Sequence, residues 1–364
     1  MRNRDSDKIS LMFGGVSSEH NASLSSFANV YSALRDQASD KARYANVYFI
    51  DRRGGVNQNK LDFSREPHYY ITTCERRHTL AEAIKVIREN DEFIFSLLHG
   101  QLGEDGHFQG ISKAIGIRGT FGSVLSCSLS MSKYHMAQYV TATHPQIEPI
   151  PTVIIDERDL GVLVEKLRPF FNTEVVIKPN SLGASLFTAR FLVDAFNLND
   201  LREHLVNVLR YDNMALVQRY IDGKEYSCGC IEMKNTVVVL PLVHIQTEGN
   251  FFGHAEKHQK GKADEILVPD SQLDPPMACI KEVSQEIFEK LMFENMCRFD
   301  FIISNRKVYF LEANPIPGLM KNSIFPKMLK ARDIGVHELP AIFLENSMGR
   351  KSKETLVEYD IAEE

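Results

Sequence analysis

The first third of the chain alternates strand-like and helix-like segments, and this alternation limits the possible folds more than any other feature. The runs KISLMFGG (8–15), NVYFIDR (46–52) and EFIFSLLHG (92–100) predict buried strands, and amphipathic segments separate them. Asn21 or Ser23 is the expected N-cap of the first intervening helix. The β-α-β-α-β order predicts an α/β fold whose N-terminal unit is an open parallel sheet. The C-terminal ends of its strands are expected to face a ligand.

The rest of the chain predicts two further α/β units. With 364 residues, 43% of them hydrophobic, the chain is too long for one ordinary core. We therefore expect an N-terminal unit at 1–122, a central unit at 123–217 and a C-terminal unit at 218–364. Residues 247–270 are polar and show no periodicity, which is typical of a lid loop.

Composition excludes several classes of protein. A net charge of −6 and a pI of about 6.1 argue against a nucleic-acid partner. No stretch approaches the roughly 18 consecutive apolar residues of a membrane span, and the polar start does not resemble a signal peptide. The six dispersed cysteines favour free thiols in a reducing cytoplasm.

The segment RFDFIISNRKVYFLEANPIPG, which begins at Arg298, predicts a β-hairpin with polar groups at its far end. A turn at the central Asn–Arg pair places Asp300 roughly opposite Glu312, and Asn314 shares a strand face with Glu312. These three oxygen donors suit Mg²⁺, and Arg298, on the face of Asp300, can meet the same anionic charge. The alternative is a hairpin end that is simply solvated.

A second segment, VVIKPNSLGASLF, predicts an anion site. Lys178 ends a buried strand, and the small residues around Gly183 expose backbone N–H groups to a phosphate. Lys133 lies on a predicted helix, and the carboxylate of Glu225, just after a turn, can accept both hydroxyls of a ribose. The alternatives are an ordinary β-turn, a solvated lysine and a surface charge.

These motifs, taken in order, resemble the D-alanine–D-alanine ligases of the ATP-grasp superfamily over roughly residues 9–345. The matching segments are FGGVSSEHNASLSS, LHGQLGEDGHFQG, LSMSKYHMAQYV, VIKPNSLGAS, IDGKEYSCG and RFDFIISNRKVYFLEANPIPGLMKNSIFPKM. The resemblance implies a three-domain ATP-grasp fold that holds ATP between the central and C-terminal domains. It also implies a homodimer.

The resemblance assigns residues to the nucleotide and its metal. Those assigned to ATP are Lys133 and Lys178 for the phosphates, the loop residues Gly183, Ala184 and Ser185, Gln218 for adenine and Glu225 for ribose. Those assigned to Mg²⁺, with Mn²⁺ as the alternative ion, are Asp300, Glu312 and Asn314. Gln218 stands where the family usually has a glutamate, but its amide oxygen can still accept from the adenine amino group.

Four further positions match residues that act on the first amino acid. Glu19 falls where the family binds the ammonium group of the first D-alanine, and His99 occupies the neighbouring histidine position. Arg298 matches the residue that stabilises the tetrahedral intermediate, and Gly318 offers an N–H at the oxyanion position. The implied mechanism is transfer of a phosphoryl group from ATP to the first carboxylate, followed by attack of the second amine on the acyl phosphate.

The second substrate is less clearly defined. Ser323 and Ile324 match the pair that frames it, with Ser323 on its carboxylate, and Lys257 is retained in the lid. However, Ala184 replaces a serine, and His258 stands at the position of the lid tyrosine. With a histidine at this lid position, the chain resembles the D-alanine–D-lactate ligases. In those enzymes a protonated imidazole disfavours an incoming ammonium group.

Three functions follow from these residues. The first is a ligase that joins D-alanine to a second D-amino acid, and the second is a D-alanyl-X ligase that accepts a D-hydroxy acid such as D-lactate. The third is a nucleotide-binding protein without turnover. Retention of all three metal-ligand candidates argues against the third.

Overall fold

The computed structural model describes residues 8–247 and 263–350. Its strands form three separate sheets of six, four and seven strands. The first sheet contains β1 (Ile9–Gly14), β2 (Tyr44–Ile50), β3 (Val56–Lys60), β4 (Arg76–His78), β5 (Phe93–Ser96) and β6 (Arg118–Gly119). The second contains β8 (Thr152–Ile155), β9 (Glu174–Pro179), β10 (Ala189–Leu192) and β11 (Ala215–Arg219). The third contains β7 (Ile147–Glu148), β12 (Lys224–Met233), β13 (Thr236–Val239), β14 (Leu242–Thr247), β15 (Ala263–Val268), β16 (Met296–Ser304) and β17 (Lys307–Asn314).

The helices cover these sheets and connect them. They are α1 (His20–Gln37), α2 (Tyr69–Thr72), α3 (Leu80–Glu89), α4 (His107–Ile115), α5 (Val124–Met131), α6 (Lys133–Thr143), α7 (Leu163–Leu167), α8 (Leu198–Leu209), α9 (Pro275–Lys290), α10 (Ile324–Lys330) and α11 (Leu339–Gly349). Short 3₁₀ turns lie at Lys41–Arg43, Glu157–Val162, Arg168–Phe170 and Asp270–Gln272. Among the described residues, none of the helices has both the length and the apolarity needed to cross a membrane.

The first sheet is parallel at its centre, as predicted, but it is extended by two antiparallel strands. The strands run in the order β4-β3-β2-β1-β5-β6; the pairs β2–β3 and β3–β4 are antiparallel, and the other three pairs are parallel. Asp51 reverses the chain before β3, since its Oδ1 accepts the N–H groups of Arg53 (2.7 Å) and Gly55 (3.1 Å). The polar sequence of β3, VNQNK, has no strand-like apolar alternation, so the sequence did not predict it.

The prediction that Asn21 or Ser23 caps the first helix was wrong. The helix begins at His20 with Glu19 as N-cap, so both residues lie inside it. The Ser23 hydroxyl instead accepts the N–H of Gly14 (2.7 Å) and donates to the carbonyl of Leu97 (2.6 Å). One buried hydroxyl therefore ties α1 to the C-terminal ends of β1 and β5.

The third sheet and its core include segments from both the predicted central unit and the predicted C-terminal unit. The strand β7 pairs with β17, and α6 contributes Met136 and Val140 to the core beneath this sheet. The strand β15 pairs with β14, so the prediction of a loop was wrong for residues 263–268. The division of the chain into domains at 122 and 217 stays a prediction.

One large core joins the first sheet to the C-terminal part of the chain. It packs Phe13, Phe27 and Phe95 with residues of the third sheet, and with Phe325 of α10 and Phe343 of α11. The rings of Phe95 and Phe343 stack with centroids 6.1 Å apart. This continuous apolar packing holds the loop after β17 against the first sheet, and that loop borders a cavity at the junction of the three sheets.

Candidate active site

A cavity of about 290 Å³ lies where the three sheets meet. Its lining includes fifteen of the residues that the sequence predicted: Glu19, His99, Lys133, Lys178, Ala184, Ser185, Gln218, Glu225, Arg298, Asp300, Glu312, Asn314, Gly318, Ser323 and Ile324. Gly183 is not part of the lining but lies directly behind Glu19. Lys257 and His258 fall outside the described residues, as does most of the predicted lid.

The hairpin of β16 and β17 brings Asp300 opposite Glu312, as predicted, but it needs an irregularity to do so. The turn at Asn305 and Arg306 pairs Ser304 with Lys307, and this register continues to Phe301 and Phe310. A β-bulge then shifts the pairing by one residue, so Leu311 is the extra residue and Asp300 faces Glu312. A regular hairpin would have put Leu311 opposite Asp300.

Asp300 is the most enclosed acid of the cavity, with 4% of its surface exposed. Arg298 donates to both of its oxygens, from Nε to Oδ1 (2.9 Å) and from Nη2 to Oδ2 (2.8 Å). Ser227 on β12 donates to Oδ1 at 2.6 Å, and Asn314 donates from Nδ2 to Oδ2 at 3.1 Å. Burial opposes the charge of Arg298, but Asp300 and the other nearby carboxylates raise its pKa, so the guanidinium stays charged.

The hairpin end fits a hard divalent cation. Asp300 and Glu312 offer carboxylate oxygens, and Asn314, which turns its Nδ2 toward Asp300, keeps its amide oxygen for another partner. Two carboxylates and an amide are the kind of small oxygen donor set that Mg²⁺ takes when phosphates complete its coordination. No cluster of three or more His, Cys, Asp or Glu side chains suited to a metal occurs in the described part of the chain, so a cation here would depend on additional ligands.

Two lysines face the same carboxylate from the opposite wall. Lys133, at the start of α6, lies with its Nζ 3.5 Å from Oε2 of Glu312 and donates to the carbonyl of Leu182 at 2.7 Å. Lys178 is the penultimate residue of β9, and burial lowers its pKa to about 8 although the charge of Glu312 opposes this shift. The pair forms a cationic wall opposite the metal-ligand candidates.

The loop after Lys178 is backbone-strained and firmly held. Ala184 and Ser185 have φ values of +55° and +53°, a region that non-glycine residues seldom occupy. The loop is anchored at its start, where Ser181 donates to Asp212 Oδ2 from both its N–H (2.6 Å) and its hydroxyl (2.8 Å). Strained backbone that is held in this way is common at ligand sites.

Gly183 is required by the close approach of Glu19. A Cβ atom added to Gly183 would lie 2.0 Å from Oε1 of Glu19, which is far inside van der Waals contact. Glu19 is itself held near His99, because Ser17 accepts the N–H of Glu19 (3.2 Å) and donates to the His99 carbonyl (2.5 Å). Thus the carboxylate of Glu19 lies directly against the strained loop, beside the methyl-bearing Ala184.

The far end of the cavity has the character of a base-binding pocket. Gln218 is 7% exposed and donates from Nε2 to the hydroxyl of Thr152 at 2.9 Å, so its Oε1 is the amide atom that can accept from a ligand. Glu225 lines the cavity on β12. The apolar side chains that share this lining are Ile150, Val176, Ile221, Ile302 and Leu311. An apolar slot with an edge acceptor and a nearby carboxylate suits a nucleoside.

Glu104 is a site residue that the sequence prediction missed. It lines the cavity, and its carboxylate accepts the N–H groups of Gly100 (2.7 Å) and Ile316 (3.1 Å). Burial and the charge of nearby Glu19 raise its pKa to about 8 despite these two hydrogen bonds. Burial also lowers the pKa of His99, so the imidazole is neutral near pH 7.

Signals for the missed residues were present in the sequence. Glu104 stands in LHGQLGEDGHFQG, a glycine-rich stretch just beyond the C-terminal end of a predicted strand, where parallel sheets bind ligands. Ser227 lies two residues after Glu225 and therefore shares its face of β12. Neither signal stood out by itself, because the partners of both residues are distant in the chain.

The sequence of this chain is similar to those of known proteins over most of its length. A family model described as D-ala D-ala ligase N-terminus matches residues 8–120, and one described as D-ala D-ala ligase C-terminus matches residues 157–345. The D-alanine–D-alanine ligase of Clostridium perfringens (strain SM101 / Type A) is 28% identical over 342 residues, which cover 94% of this chain and 98% of that protein. The corresponding protein of Carboxydothermus hydrogenoformans is 28% identical over 340 residues, with 91% and 95% coverage.

Solved structures share the fold. The VanG D-Ala:D-Ser ligase from Enterococcus faecalis superposes with a TM-score of 0.76 at 20% identity and covers 94% of this chain and 99% of that one. The D-alanine–D-alanine ligase from Coxiella burnetii gives 0.71 at 22% identity, with 94% of each chain covered. These similarities confirm the predicted α/β ATP-grasp fold class. Because the two family models together match more than half of the sequence, the chain belongs to the D-alanine–D-alanine ligase family.

Proposed function

We propose that this chain is an ATP-dependent, ADP-forming ligase that joins D-alanine to a second D-amino acid, with D-alanyl-D-alanine as its product. The observation that carries the proposal is the meeting of three groups around one cavity: two lysines, a hairpin end with three oxygen-bearing side chains, and Glu19 against the Gly183 loop. Phosphoryl transfer to a carboxylate needs the first two groups, and holding an amino acid beside the phosphate needs the third.

The nucleotide would occupy the side between the second and third sheets. Lys133 and Lys178 would bind its phosphates, and the Gly183–Ser185 loop would add backbone donors. Gln218 would accept from the adenine amino group, and Glu225 would accept from the ribose hydroxyls. A solved Bacillus anthracis D-alanine–D-alanine ligase complexed with ATP shares this fold, with a TM-score of 0.65 at 22% identity.

Asp300, Glu312 and Asn314 would hold Mg²⁺, with Mn²⁺ as the alternative ion, by their oxygen atoms. A divalent cation there would neutralise part of the charge of the phosphates. Arg298 is held by Asp300 at the same hairpin end and keeps a permanent positive charge. It would stabilise the negative charge that develops when the second amine attacks the acyl phosphate.

The first amino acid would lie beside Glu19, whose carboxylate would accept its ammonium group, with neutral His99 nearby. Gly318 supports the oxyanion role in a specific way, since its N–H donates no hydrogen bond to any residue that the structure describes. Ser323 would bind the carboxylate of the second substrate, and Ile324 would pack against its side chain.

The substrate alternatives can be separated by one experiment. Purified protein, ATP and Mg²⁺ are incubated with D-alanine alone, and with D-alanine paired with D-serine, D-lactate or L-alanine, and ADP and products are measured. The proposal expects ADP and D-alanyl-D-alanine from D-alanine alone. Preferential formation of D-alanyl-D-lactate near neutral pH would favour the depsipeptide alternative, and absence of ADP with every pair would favour a non-catalytic protein.

A homodimer and a cytoplasmic location remain predictions. The first can be checked by light scattering of the purified chain, and the second by fractionation of the cells that produce it.

A further inference from the structure

The short loop after β17 is held almost entirely by side chains that come from the first sheet and its helix. Pro315 and Pro317 lack N–H groups, so the loop has few backbone donors of its own. The residues on either side of Pro317–Gly318 are Ile316 and Leu319. Both polar backbone groups of each residue bind a side chain more than 200 positions earlier in the sequence.

The four contacts are regular hydrogen bonds. The N–H of Ile316 donates to Oε1 of Glu104 at 3.1 Å, and its carbonyl accepts from Nδ1 of His99 at 3.1 Å. The N–H of Leu319 donates to the hydroxyl of Ser26 at 3.2 Å, and its carbonyl accepts from Nδ2 of Asn29 at 2.8 Å.

The imidazole of His99 links two of these contacts. Because a carbonyl only accepts, Nδ1 of His99 carries the proton that binds Ile316, and Nε2 must accept. The partner of Nε2 is the hydroxyl of Ser26, at 3.0 Å, which is itself fully buried. Ser26 therefore donates to His99 and accepts from Leu319, so the contacts close into one network across the loop.

One backbone donor of the loop is not used by this network. Ile316 and Leu319 commit their N–H groups to the first sheet and its helix, and the prolines have none. Between Ile316 and Leu319, only the N–H of Gly318 lacks an acceptor among residues 8–247 and 263–350, and Gly318 borders the cavity. Four side chains thus fix the backbone on both sides of the Gly318 N–H, which remains available to a ligand.

We propose that Ser26, Asn29, His99 and Glu104 form a clamp that positions the Gly318 N–H for the acyl-transfer step. The inference rests on the proposed function, since it gives the Gly318 N–H a developing oxyanion to bind. Ser26 and Asn29 do not line the cavity, so they act as positioning residues through the loop alone. His99, which the resemblance places beside the first amino acid, has both ring nitrogens occupied by the clamp.

The test uses variants that do not touch the cavity. Asn29→Asp replaces the donor to Leu319 with a carboxylate that repels the same carbonyl, and Ser26→Ala removes the shared hydroxyl. Ser25→Ala is the matched control, because it removes a hydroxyl from the next position of α1 whose partner is the Asn21 carbonyl (3.0 Å). Ser26→Thr, which keeps the hydroxyl, is the rescue variant.

We expect kcat to fall about tenfold in Asn29→Asp and in Ser26→Ala, because misplacement of a transition-state donor slows the chemical step. KM for D-alanine and the Kd for ADP should stay within about twofold of the wild-type values. A phosphinate mimic of the tetrahedral intermediate should lose affinity by about the same factor as kcat. The double variant should lose less than the product of the single losses, because both residues act on Leu319.

The outcomes separate this inference from the proposed function. A wild-type protein that releases no ADP with any substrate pair overturns both. An active wild type whose Asn29→Asp and Ser26→Ala variants match Ser25→Ala in kcat and in phosphinate affinity overturns the clamp alone. A lower melting temperature with unchanged kcat would likewise assign these contacts to stability rather than positioning.

Discussion

The two ends of the cavity are built on different physical principles. One end, which we propose binds the phosphates and call the phosphate end, brings charged groups face to face: Arg298 binds Asp300 with two hydrogen bonds, and Lys133 lies 3.5 Å from Glu312. The other end, which we propose binds the first amino acid and call the amino-acid end, has a neutral His99 and a Glu104 whose pKa is raised, and both bind backbone groups. The first end is suited to moving a highly charged group and the second to placing a small substrate accurately.

The difference also concerns which parts of the chain are used. The phosphate end draws on the hairpin of β16 and β17, where close sequence neighbours meet across the turn, and on the segment around Lys178. Lys133 and Ser227 reach Glu312 and Asp300 from distant segments. The amino-acid end joins α1 and the loop after β5 to the loop after β17. Changes at the phosphate end should therefore abolish chemistry, while changes at the amino-acid end should alter rate and substrate use.

The largest expected effect tests the phosphate end. Glu312→Gln keeps the shape of the side chain but removes the carboxylate that faces both lysines, and we expect ADP release to fall by at least about 1,000-fold. Circular dichroism should show an unchanged fold. The control is Glu148→Gln, which neutralises a half-exposed acid on the adjacent strand β7. Activity within tenfold of the wild type would contradict the assignment of Glu312.

The next effect tests the junction of the two ends. Gly183→Ala places a methyl group 2.0 Å from the present position of Glu19 Oε1, so the carboxylate must move. We expect kcat/KM for D-alanine to fall about 100-fold, with ATP affinity changed less than threefold. Gly161→Ala is the control, since an added Cβ there meets no atom within 4 Å. Equal losses in ATP affinity and D-alanine use would show that the two ends are not separable.

A smaller effect follows from pH. The pKa of Lys178 is lowered to about 8, so its ammonium is present below pH 8 and lost above it. Because ATP phosphates bind the charged form, we expect ATP affinity to weaken about tenfold at pH 9 relative to pH 7. Isothermal titration calorimetry in two buffers of different ionisation enthalpy should detect proton uptake on binding at pH 8–9.

The matched variant for this prediction is Lys178→Arg, whose guanidinium stays charged throughout. Its ATP affinity should be nearly constant between pH 7 and pH 9. A wild-type affinity that is equally flat would place the lysine outside the phosphate site.

The smallest effect lies at the end of the hairpin that is distant from the cavity. Arg306 has a φ of +65°, which costs a non-glycine residue free energy. Arg306→Gly should therefore raise the free energy of unfolding by about 0.5 kcal/mol, measured by urea titration, without changing kcat. Asn305→Ala, at a φ of +49°, should act in the opposite direction. A change in kcat in either variant would show that the turn is coupled to the site.

The sequence predicted the pairing of Asp300 with Glu312 for a physical reason. Asp300, Glu312 and Asn314 lie within 15 residues of one another on a hairpin whose turn is marked by Asn305 and Arg306, so local pattern was enough to bring them together. Lys178 likewise follows an apolar run whose composition predicts a strand.

The amino-acid end was beyond the same reasoning. Glu104 acts on Ile316, and Asn29 acts on Leu319, across more than 200 residues of sequence in each case. Such contacts depend on how the first sheet packs against the third, and periodicity in one segment contains no information about that packing. Strand β3 was missed for a related reason, because a turn at Asp51 and not an apolar pattern creates it.

The single extra residue in the hairpin has a consequence for how this site tolerates change. Val308 and Phe310 lie in the apolar core, whereas Glu312 and Asn314 line the cavity, although all four have even numbers. Leu311 inverts the alternation between them, and it lets an apolar wall and an acid come from consecutive positions. Straightening the bulge without removing a residue would turn both oxygen donors toward the core and bring Ala313 to the cavity. A hairpin of this kind should therefore accept many substitutions in its strands over evolution, while the bulge between Phe310 and Glu312 stays under strict selection.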